Sequence, residues 1–285
     1  MLFRSSLFIR SFITAIGISH WNCHHSFGRS PFSLPFMEKI TSNYFLEAEG
    51  LILGYHKTAP ISQQPIYFKI PHQSVTALVG LNGSGKTTLI KSLIGESVLI
   101  DGSLKCFSHS IQSLSEKDLS QLIAFVPQEP VYPSNLKVKH FLELAFLPQS
   151  HLFGKLPSIE STDCSILLNS LNLIHLLNKT LNAISSGERQ RIFLAFAMLR
   201  KAPLIVLDEP TNHLDIQASR GFWKSLMHAK STRPMEILIS THDLNFVEKE
   251  CDWVLALKNG NLFFSGPKSV FFSEKWDEKM ISTEG

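Results

Sequence analysis

The chain has 285 residues, of which 44% are hydrophobic and 18% charged, and its formal net charge is +3. This composition suffices for a packed core, and no uncharged apolar run approaches the roughly 20 residues of a membrane-spanning helix. The +3 comes from Arg4, Arg10 and Arg29, because residues 1–37 contain no acid. The remainder is balanced and gives no electrostatic argument for nucleic-acid binding. The four cysteines form no Cys-x-x-Cys pair, which favours a reducing cytosol.

Residues 1–37 are predicted to be a dispensable or disordered extension. Their acid-free, Ser-rich start mimics a transit peptide and Phe12 to Ile18 mimics a short secretory core, but neither layout is complete. The cluster Cys23-His24-His25 has metal-ligating residue types without a fourth ligand at a recognised spacing. We expect the folded domain to occupy residues 38–275, followed by a tail at 276–285.

The segment from Tyr44 to Val79 predicts a small antiparallel unit of short β-strands. Short apolar or alternating runs separated by turn residues are typical of such a unit. The runs lie at 44–49, 51–53, 66–70 and 75–79. Tyr55 follows Gly54 in one of the turns. Its ring is either that of an ordinary turn tyrosine or, because the next segment carries a phosphate-binding motif, one that stacks on the adenine of a nucleotide.

The next segment, Gly80 to Thr88, carries the clearest motif of the chain. It matches the pattern Gly-x-x-x-x-Gly-Lys-[Ser/Thr], between an apolar strand-like run and a helical run that continues to Ile94. Its glycines let the backbone curl so that amide N–H groups point inward at a polyphosphate, and the helix N-terminus favours the same anion. We call this segment the phosphate loop; its residues are Gly80, Leu81, Asn82, Gly83, Ser84, Gly85, Lys86, Thr87 and Thr88. Lys86 is expected to reach the outer phosphates and Thr87 to coordinate Mg²⁺.

Past the phosphate loop, the pattern predicts a turn at Asp101-Gly102, a buried strand at 123–126 that leads to Gln128, and then helices. Helical patterns such as 138–146 and 165–177 are interrupted by prolines and a glycine. This stretch, about 131–185, is predicted to be an inserted α-helical lobe.

Ser185, Ser186, Gly187 and Glu188 open the next helical pattern, which runs through 192–199. Ser185 with Glu188 three residues on forms a capping-box pattern. The same N-terminus offers N–H groups and a helix dipole to an external phosphate, and the two roles are compatible.

Two uncharged β-rich runs, 204–207 and 237–240, end in Asp208-Glu209 and in Thr241-His242. Since ligands of parallel sheets collect at the carboxyl ends of the strands, we expect Gln128, Asp208, Glu209 and His242 to lie there. If a nucleotide bound by the phosphate loop is hydrolysed, Asp208 is predicted to hold Mg²⁺ and Glu209 to orient and deprotonate the attacking water. The alternative is that the pair is only a polar strand end. His242 either hydrogen-bonds the γ-phosphate or is structural. Gln128 either contacts Mg²⁺ or water, or is a loop residue.

These landmarks occur in the order seen in ABC-transporter ATPase subunits, which this chain resembles over residues 44 to about 270. Within the family it is most similar to importer ATPases for iron-siderophore, haem or cobalamin complexes. That narrower similarity rests on three features: Glu188 to Arg191, the run Asp-Glu-Pro-Thr-Asn-His-Leu-Asp at 208–215, and Phe153-Gly154. The resemblance therefore implies the ATPase subunit of a metal-chelate importer, for an iron-siderophore, haem or cobalamin complex.

The resemblance implies an α/β fold: a P-loop NTPase core with a mostly parallel sheet, an N-terminal antiparallel β subdomain and an inserted α-helical subdomain. It implies two copies facing head to tail, with ATP and Mg²⁺ between the phosphate loop of one and Ser185 to Glu188 of the other. Transmembrane permease subunits, and an external substrate-binding protein, are the implied partners, at the cytoplasmic face of the cell membrane. Asp215 either couples the two copies or caps a turn.

One position departs from the family's usual Leu-Ser-Gly-Gly-Gln. Ser186 stands where glycine is usual, and its side chain is expected to slow hydrolysis modestly.

Two alternative functions use the same ATPase machinery. One is a soluble scaffold ATPase, for example in iron-sulfur assembly, and the other is an ATPase for import of a free metal ion. A co-purifying permease distinguishes transport from the scaffold function.

Overall fold

The computed structural model describes residues 42–56, 59–97, 99–130, 132–133, 135–146, 159–212 and 214–281. The predicted extension at 1–37, Cys23-His24-His25 and Phe153-Gly154 lie outside them. The chain divides into two compact units. We call Glu116–Ile205 with Thr211–Pro234 the helical unit, and Ile40–Ser115 with Val206–Pro210 and Met235–Gly285 the sheet unit.

The strands of the described residues are short, and most follow the apolar runs of the sequence. They are β1 (Tyr44–Ile52), β2 (Gly54–His56), β3 (Ala59–Pro60), β4 (Ile66–Pro71), β5 (Val75–Val79), β6 (Asp101–Cys106), β7 (His109–Ser110), β8 (Ile123–Val126), β9 (Leu204–Asp208), β10 (Glu236–Ser240), β11 (Trp253–Lys258) and β12 (Asn261–Pro267).

The helices of the described residues include two of more than ten residues. They are α1 (Lys86–Leu93), α2 (Glu116–Leu122), α3 (Val138–Glu143), α4 (Thr162–Ser170), α5 (Ser186–Leu199), α6 (Ile216–Thr232), α7 (Leu244–Glu250), α8 (Lys268–Ser273) and α9 (Trp276–Ile281). Among these helices, none combines the length and apolar character that a membrane span requires.

An antiparallel sheet of order β4-β1-β6-β7 forms the N-terminal part of the sheet unit. Leu46 of β1 pairs with Ile70 of β4 and with Cys106 of β6. Side chains of β4 alternate between buried and exposed positions because one face covers a core. The predicted antiparallel subdomain is therefore confirmed, although the runs at 44–49 and 51–53 merge into one strand that ends at Ile52, and the run at 75–79 belongs to another, larger sheet.

The predicted turn at Asp101-Gly102 is wrong, because both residues belong to β6. Gly102 has φ 79°, and a Cβ there would lie 2.2 Å from the Gly50 carbonyl oxygen. The β1–β6 register also shifts between Glu49 and Ile52. The glycine therefore marks an irregularity inside a strand, where two backbones approach closely.

The larger sheet has the strand order β12-β11-β5-β10-β9-β8. β5 pairs in parallel with β10 and β11, and β12 pairs antiparallel with β11. Every residue of β5, β9 and β10 is buried. Such fully buried, mostly apolar strands are typical of a parallel sheet covered on both faces, so the predicted mostly parallel core is confirmed.

The helical unit packs its helices around an aromatic cluster. The Phe141 ring of α3 lies 5.2 Å from that of Phe193 and 4.8 Å from that of Phe196, both on α5. The helix predicted at 165–177 is present with other bounds, since α4 begins at Thr162 and ends at Ser170. Asn172 then adopts φ 54°, which breaks the helix, and a short 3₁₀ turn follows.

Candidate functional site

The phosphate loop connects the carboxyl end of β5 to the start of α1. At Gly80, with φ 154°, an added Cβ would lie 2.4 Å from both the Leu257 carbonyl oxygen and Ser84 Oγ. Backbone cannot give way there cheaply, so only glycine fits. The loop therefore has the tight backbone path that its sequence predicts.

Two polar side chains inside the phosphate loop suit an anionic ligand. Lys86 is 5% exposed, and its Nζ donates to the carbonyl oxygens of Gly80 (2.9 Å) and Leu81 (3.3 Å). This holds the ammonium group over the loop. Ser84 Oγ is buried and has no hydrogen-bond partner among the described residues. A phosphate oxygen would satisfy this hydroxyl, so the loop fits a polyphosphate.

Two carboxylates follow the buried strand β9. Asp208 is its last residue and is buried, and Glu209 comes next with φ 44°. The Glu209 N–H donates to the carbonyl oxygen of Ser240 (3.1 Å) and to its Oγ (2.8 Å). The Ser240 hydroxyl donates to Asp208 Oδ1 at 2.5 Å. One buried hydroxyl therefore holds both acidic residues.

Sequence reasoning missed Ser240 because a serine at the end of an apolar strand carries no motif of its own. The available signal was its position, directly before Thr241-His242 at the carboxyl end of β10. In a parallel sheet that end lies beside the end of β9, where Asp208 stands.

Burial raises the pKa of the Asp208 carboxyl, and the nearby Glu209 charge adds to this, while hydrogen bonds from Ser240 and Thr87 oppose it. Thr87 Oγ1 donates to Asp208 Oδ2 at 3.3 Å. A cation stabilises the ionised form of a buried carboxylate. The Thr87 hydroxyl beside it is an oxygen ligand of the kind that Mg²⁺ prefers. No group of three or more His, Cys, Asp or Glu side chains among the described residues is arranged to hold a metal. Magnesium commonly binds one or two carboxylates together with phosphates and water, so these residues fit Mg²⁺ bound with a nucleotide.

The Glu209 carboxylate lies between two nitrogen groups. Its Oε1 is 2.8 Å from His242 Nε2 and 3.5 Å from Lys86 Nζ. His242 is half-exposed, whereas the Lys86 and Glu209 side chains are nearly buried. The sheet unit thus gathers Lys86, Thr87, Asp208, Glu209 and His242 at one edge of the sheet.

The helical unit contains the other predicted site residues: Gln128, Asp215 and the stretch 185–188. Gln128 follows the end of β8. Asp215 caps α6 by accepting from the Ala218 N–H at 2.7 Å. The Tyr55 backbone belongs to β2 of the sheet unit, and its side chain lies outside the described part of the structure.

Ser185 and Glu188 form the predicted capping box at the start of α5. The Ser185 Oγ accepts from the Glu188 N–H at 3.2 Å, and the Glu188 carboxylate accepts from the Ser185 N–H at 2.8 Å. The latter bond is the main reason why the pKa of Glu188 is lowered. Gly187 packs close to Ala218, where an added Cβ would lie 3.2 Å from the alanine Cβ, and Ser186 is exposed.

Arg189 supports the segment that precedes this cap. Its Nε donates to the Leu181 carbonyl oxygen (3.2 Å) and its Nη2 to that of Ile184 (3.0 Å). Its guanidinium carbon lies 5.3 Å from the centroid of the Tyr132 ring. The side chain therefore joins the loop after Gln128 to the start of α5.

Comparisons with known proteins match this chain to ATP-binding subunits of transporters. A family model described as "ABC transporter" matches residues 63–212. The "Probable iron chelatin transport ATP-binding protein" of Helicobacter pylori is 31% identical over 79% of this chain and 88% of its own length. The iron(3+)-hydroxamate import ATP-binding protein of Bacillus subtilis is 28% identical over 78% of this chain and 81% of its own.

A third relative, the zinc uptake system ATP-binding protein of Listeria monocytogenes, is 28% identical over 75% of this chain and 83% of its own. Among solved structures, cbiO1 of Clostridium perfringens, part of the ABC transporter complex cbiONQ, aligns with a TM-score of 0.71 at 25% identity. That alignment covers 85% of this chain and 96% of cbiO1.

Proposed function

The chain belongs to the ABC transporter family, and we propose that it is the ATP-hydrolysing subunit of an importer for iron chelates. The relatives from Helicobacter pylori and Bacillus subtilis, and a petrobactin import protein of Bacillus anthracis, carry names of this kind. Import of a free metal ion is the second candidate, because the Listeria relative is named for zinc uptake.

The observation that carries the ATPase activity is the position of the Glu209 carboxylate, between Lys86 and His242 beside the phosphate loop. Phosphoryl transfer to water needs charge neutralisation and a positioned nucleophile. Lys86 contacts the outer phosphates, and an incoming γ-phosphate competes with Glu209 for it. Once released, Glu209 orients the attacking water and accepts its proton, while His242 donates a hydrogen bond to the γ-phosphate.

Asp208 and Thr87 are the residues that hold Mg²⁺ in this proposal. The metal ion supplies charge neutralisation on the bound phosphates. Ser240 keeps the Asp208 carboxylate in place and opposes the rise of its pKa that burial causes. This favours the ionised form, which is the form that binds a cation.

The helical unit completes the site of a second copy. Ser185 to Glu188 open α5 with N–H groups and a helix dipole, and in a head-to-tail dimer they meet the γ-phosphate held by the partner. Asp215 couples the copies in addition to capping α6. Gln128 reports the nucleotide state to a membrane permease, and an external protein delivers the chelate. The subunit then works at the cytoplasmic face of the membrane, held there by the permease.

Glu209→Gln tests the proposed chemistry. The variant is expected to bind ATP and to accumulate as a closed dimer while hydrolysis is nearly abolished, because an amide is a far weaker base than a carboxylate. Glu250→Gln, an exposed site at the end of α7, is the matched control. Dimer formation is followed by light scattering and hydrolysis by phosphate release. Normal turnover by Glu209→Gln would refute the assigned role.

The transported substrate is tested separately. The chain is co-expressed with candidate permeases, and ATPase stimulation and uptake of a labelled ferric siderophore or of zinc are measured in proteoliposomes. Stimulation by the ferric chelate supports the first candidate. Stimulation by zinc alone supports the second candidate, import of a free metal ion, and contradicts the first.

A further inference from the structure

The turn between β11 and β12 contacts the backbone of the phosphate loop at Ser84 and Gly85. Asn259 and Gly260 have φ of 51° and 79°, which is the left-handed backbone of a tight hairpin. The Gly260 N–H donates to the Ser84 carbonyl oxygen at 3.1 Å. A Cβ built at Gly85 would lie 3.6 Å from Gly260 Cα. This turn and the Leu257 carbonyl oxygen, which lies close to Gly80, therefore pack against the phosphate loop.

The same turn holds a second loop, residues 61–64. Asn261 Oδ1 accepts hydrogen bonds from the backbone N–H groups of Gln63 and Gln64, both at 3.0 Å. A Cβ built at Gly260 would lie only 2.2 Å from the Ile61 carbonyl oxygen. The glycine is therefore wedged against the loop at 61–64 while its N–H is bonded to the phosphate loop.

Loop 61–64 is in turn joined to the start of β2. The Ile61 and Ser62 N–H groups donate to the Leu53 carbonyl oxygen at 2.8 and 3.3 Å, and the Leu53 N–H donates to Ser62 Oγ at 2.8 Å. Leu53 directly precedes the strand whose backbone includes Tyr55, the predicted adenine contact. A continuous set of contacts thus leads from the phosphate loop through Gly260 and Asn261 to Leu53 and the start of β2. We call Leu53 and β2 the base side, because β2 includes the predicted adenine contact.

We propose that the turn at residues 258–261 is a spacer that sets the distance between the triphosphate side and the base side of the nucleotide site. Gly260 and Asn261 are then positioning residues for ATP. A ligand that spans two loops binds more tightly when the loops are already held in register, because less ordering is needed on binding. The inference rests on the proposed function in taking ATP as the ligand, and it takes Tyr55, the predicted adenine contact, as the marker of the base side.

The two residues are separable because the Asn261 side chain holds loop 61–64, whereas Gly260 contacts both that loop and the phosphate loop. Asn261→Ala removes the acceptor of two N–H groups and loosens the base side. We expect its ATP affinity to fall about three- to tenfold, with unchanged affinity for inorganic tripolyphosphate, which lacks a base. Asn261→Asp keeps the oxygen acceptor, loses the 3.4 Å bond from Nδ2 to the Asn259 carbonyl oxygen and adds a negative charge at a part-exposed site; it is expected to restore most of the ATP affinity.

Gly260→Ala introduces a Cβ against the Ile61 carbonyl and strains a left-handed backbone. Because this residue also contacts the phosphate loop, the variant is expected to weaken both ATP and tripolyphosphate. If Gly260→Ala does not fold, the Asn261 pair carries the test. Asn169→Ala, an exposed site on α4, is the matched control and is expected to bind both ligands as the unmodified chain does.

Affinities are measured by calorimetry on the full chain, and turnover is measured in the assembled transporter. For Asn261→Ala we expect a raised KM for ATP with kcat unchanged, which a general loss of stability would not produce. Equal weakening of ATP and tripolyphosphate by Asn261→Ala, or unaltered ATP affinity, overturns the inference. Failure of the unmodified chain to bind ATP overturns the proposed function instead, so the two failures are distinguishable.

Discussion

Ser240→Ala removes the single hydroxyl that bonds both the Asp208 carboxylate and the Glu209 backbone N–H. Ser240 is fully buried, and its Oγ donates to Asp208 Oδ1 at 2.5 Å while accepting from the Glu209 N–H at 2.8 Å. The Glu209 N–H keeps its second acceptor, the Ser240 carbonyl oxygen at 3.1 Å. The main loss is therefore the charge-assisted bond to Asp208.

A hydrogen bond to a buried charged group contributes about 1.5–3 kcal/mol. We expect the free energy of unfolding of the variant to fall by about 2 kcal/mol, and its kcat to fall about tenfold because Asp208 and Glu209 lose their fixed position. The pKa of Asp208 rises further, since the Ser240 hydrogen bond is one of the contacts that lower it.

The assay is urea unfolding of the full chain, together with ATP hydrolysis in the assembled transporter. Ser92→Ala is the control, because the Ser92 hydroxyl is also buried but donates to the neutral Thr88 carbonyl oxygen at 3.0 Å. Its unfolding free energy is expected to change by about 1 kcal/mol or less. If Ser240→Ala unfolds and turns over like the unmodified chain, the bond to Asp208 has no energetic role and the reasoning fails.

Four further predictions concern other parts of the site. Lys86→Ala is expected to weaken ATP binding at least about tenfold, because a charge-assisted contact is lost; unchanged affinity by calorimetry contradicts the phosphate-loop assignment. Ser186→Gly is expected to raise turnover of the assembled complex modestly, and an unchanged rate means that this side chain is no obstacle to hydrolysis. Arg189→Ala loses the bonds to the loop before α5 and is expected to lower the free energy of unfolding by about 2 kcal/mol. An unchanged urea midpoint would mean that these two hydrogen bonds do not stabilise the fold. Because the pKa of Asp208 is raised in the folded state, its contribution to stability without Mg²⁺ is fully present below the ordinary aspartate pKa of about 4. That contribution is lost as the pH rises through the raised value. Mg²⁺ binds the ionised form, so stabilisation by Mg²⁺ with ATP, measured by urea unfolding, is expected to begin to fall as the pH drops through the raised pKa. A fall that begins only below the ordinary aspartate pKa of about 4 would refute this.

Local chain chemistry determined much of this protein. The glycine spacing of the phosphate loop predicts a tight backbone path without side chains. The structure confirms this at Gly80, where no side chain fits. The β-strand predicted at 123–126 has the observed bounds, because a short apolar run between polar segments has few other options. The family, the fold class and the ATPase function inferred from the motif order are confirmed by the comparisons. The roles of individual site residues stay predictions.

Tertiary structure decided what depends on distant partners. Asp101-Gly102 has the sequence of a turn, yet it lies in a strand because β1 approaches its backbone. Ser240 and Asn261 carry no motif, and their importance comes from partners 32 and 198 residues away in the chain. Hydrogen bonds between distant segments depend on side-chain positions that local propensity does not encode. The sequence alone therefore located the phosphate loop and the strand-end acids, whereas only folding showed which hydroxyl and which turn hold them in place.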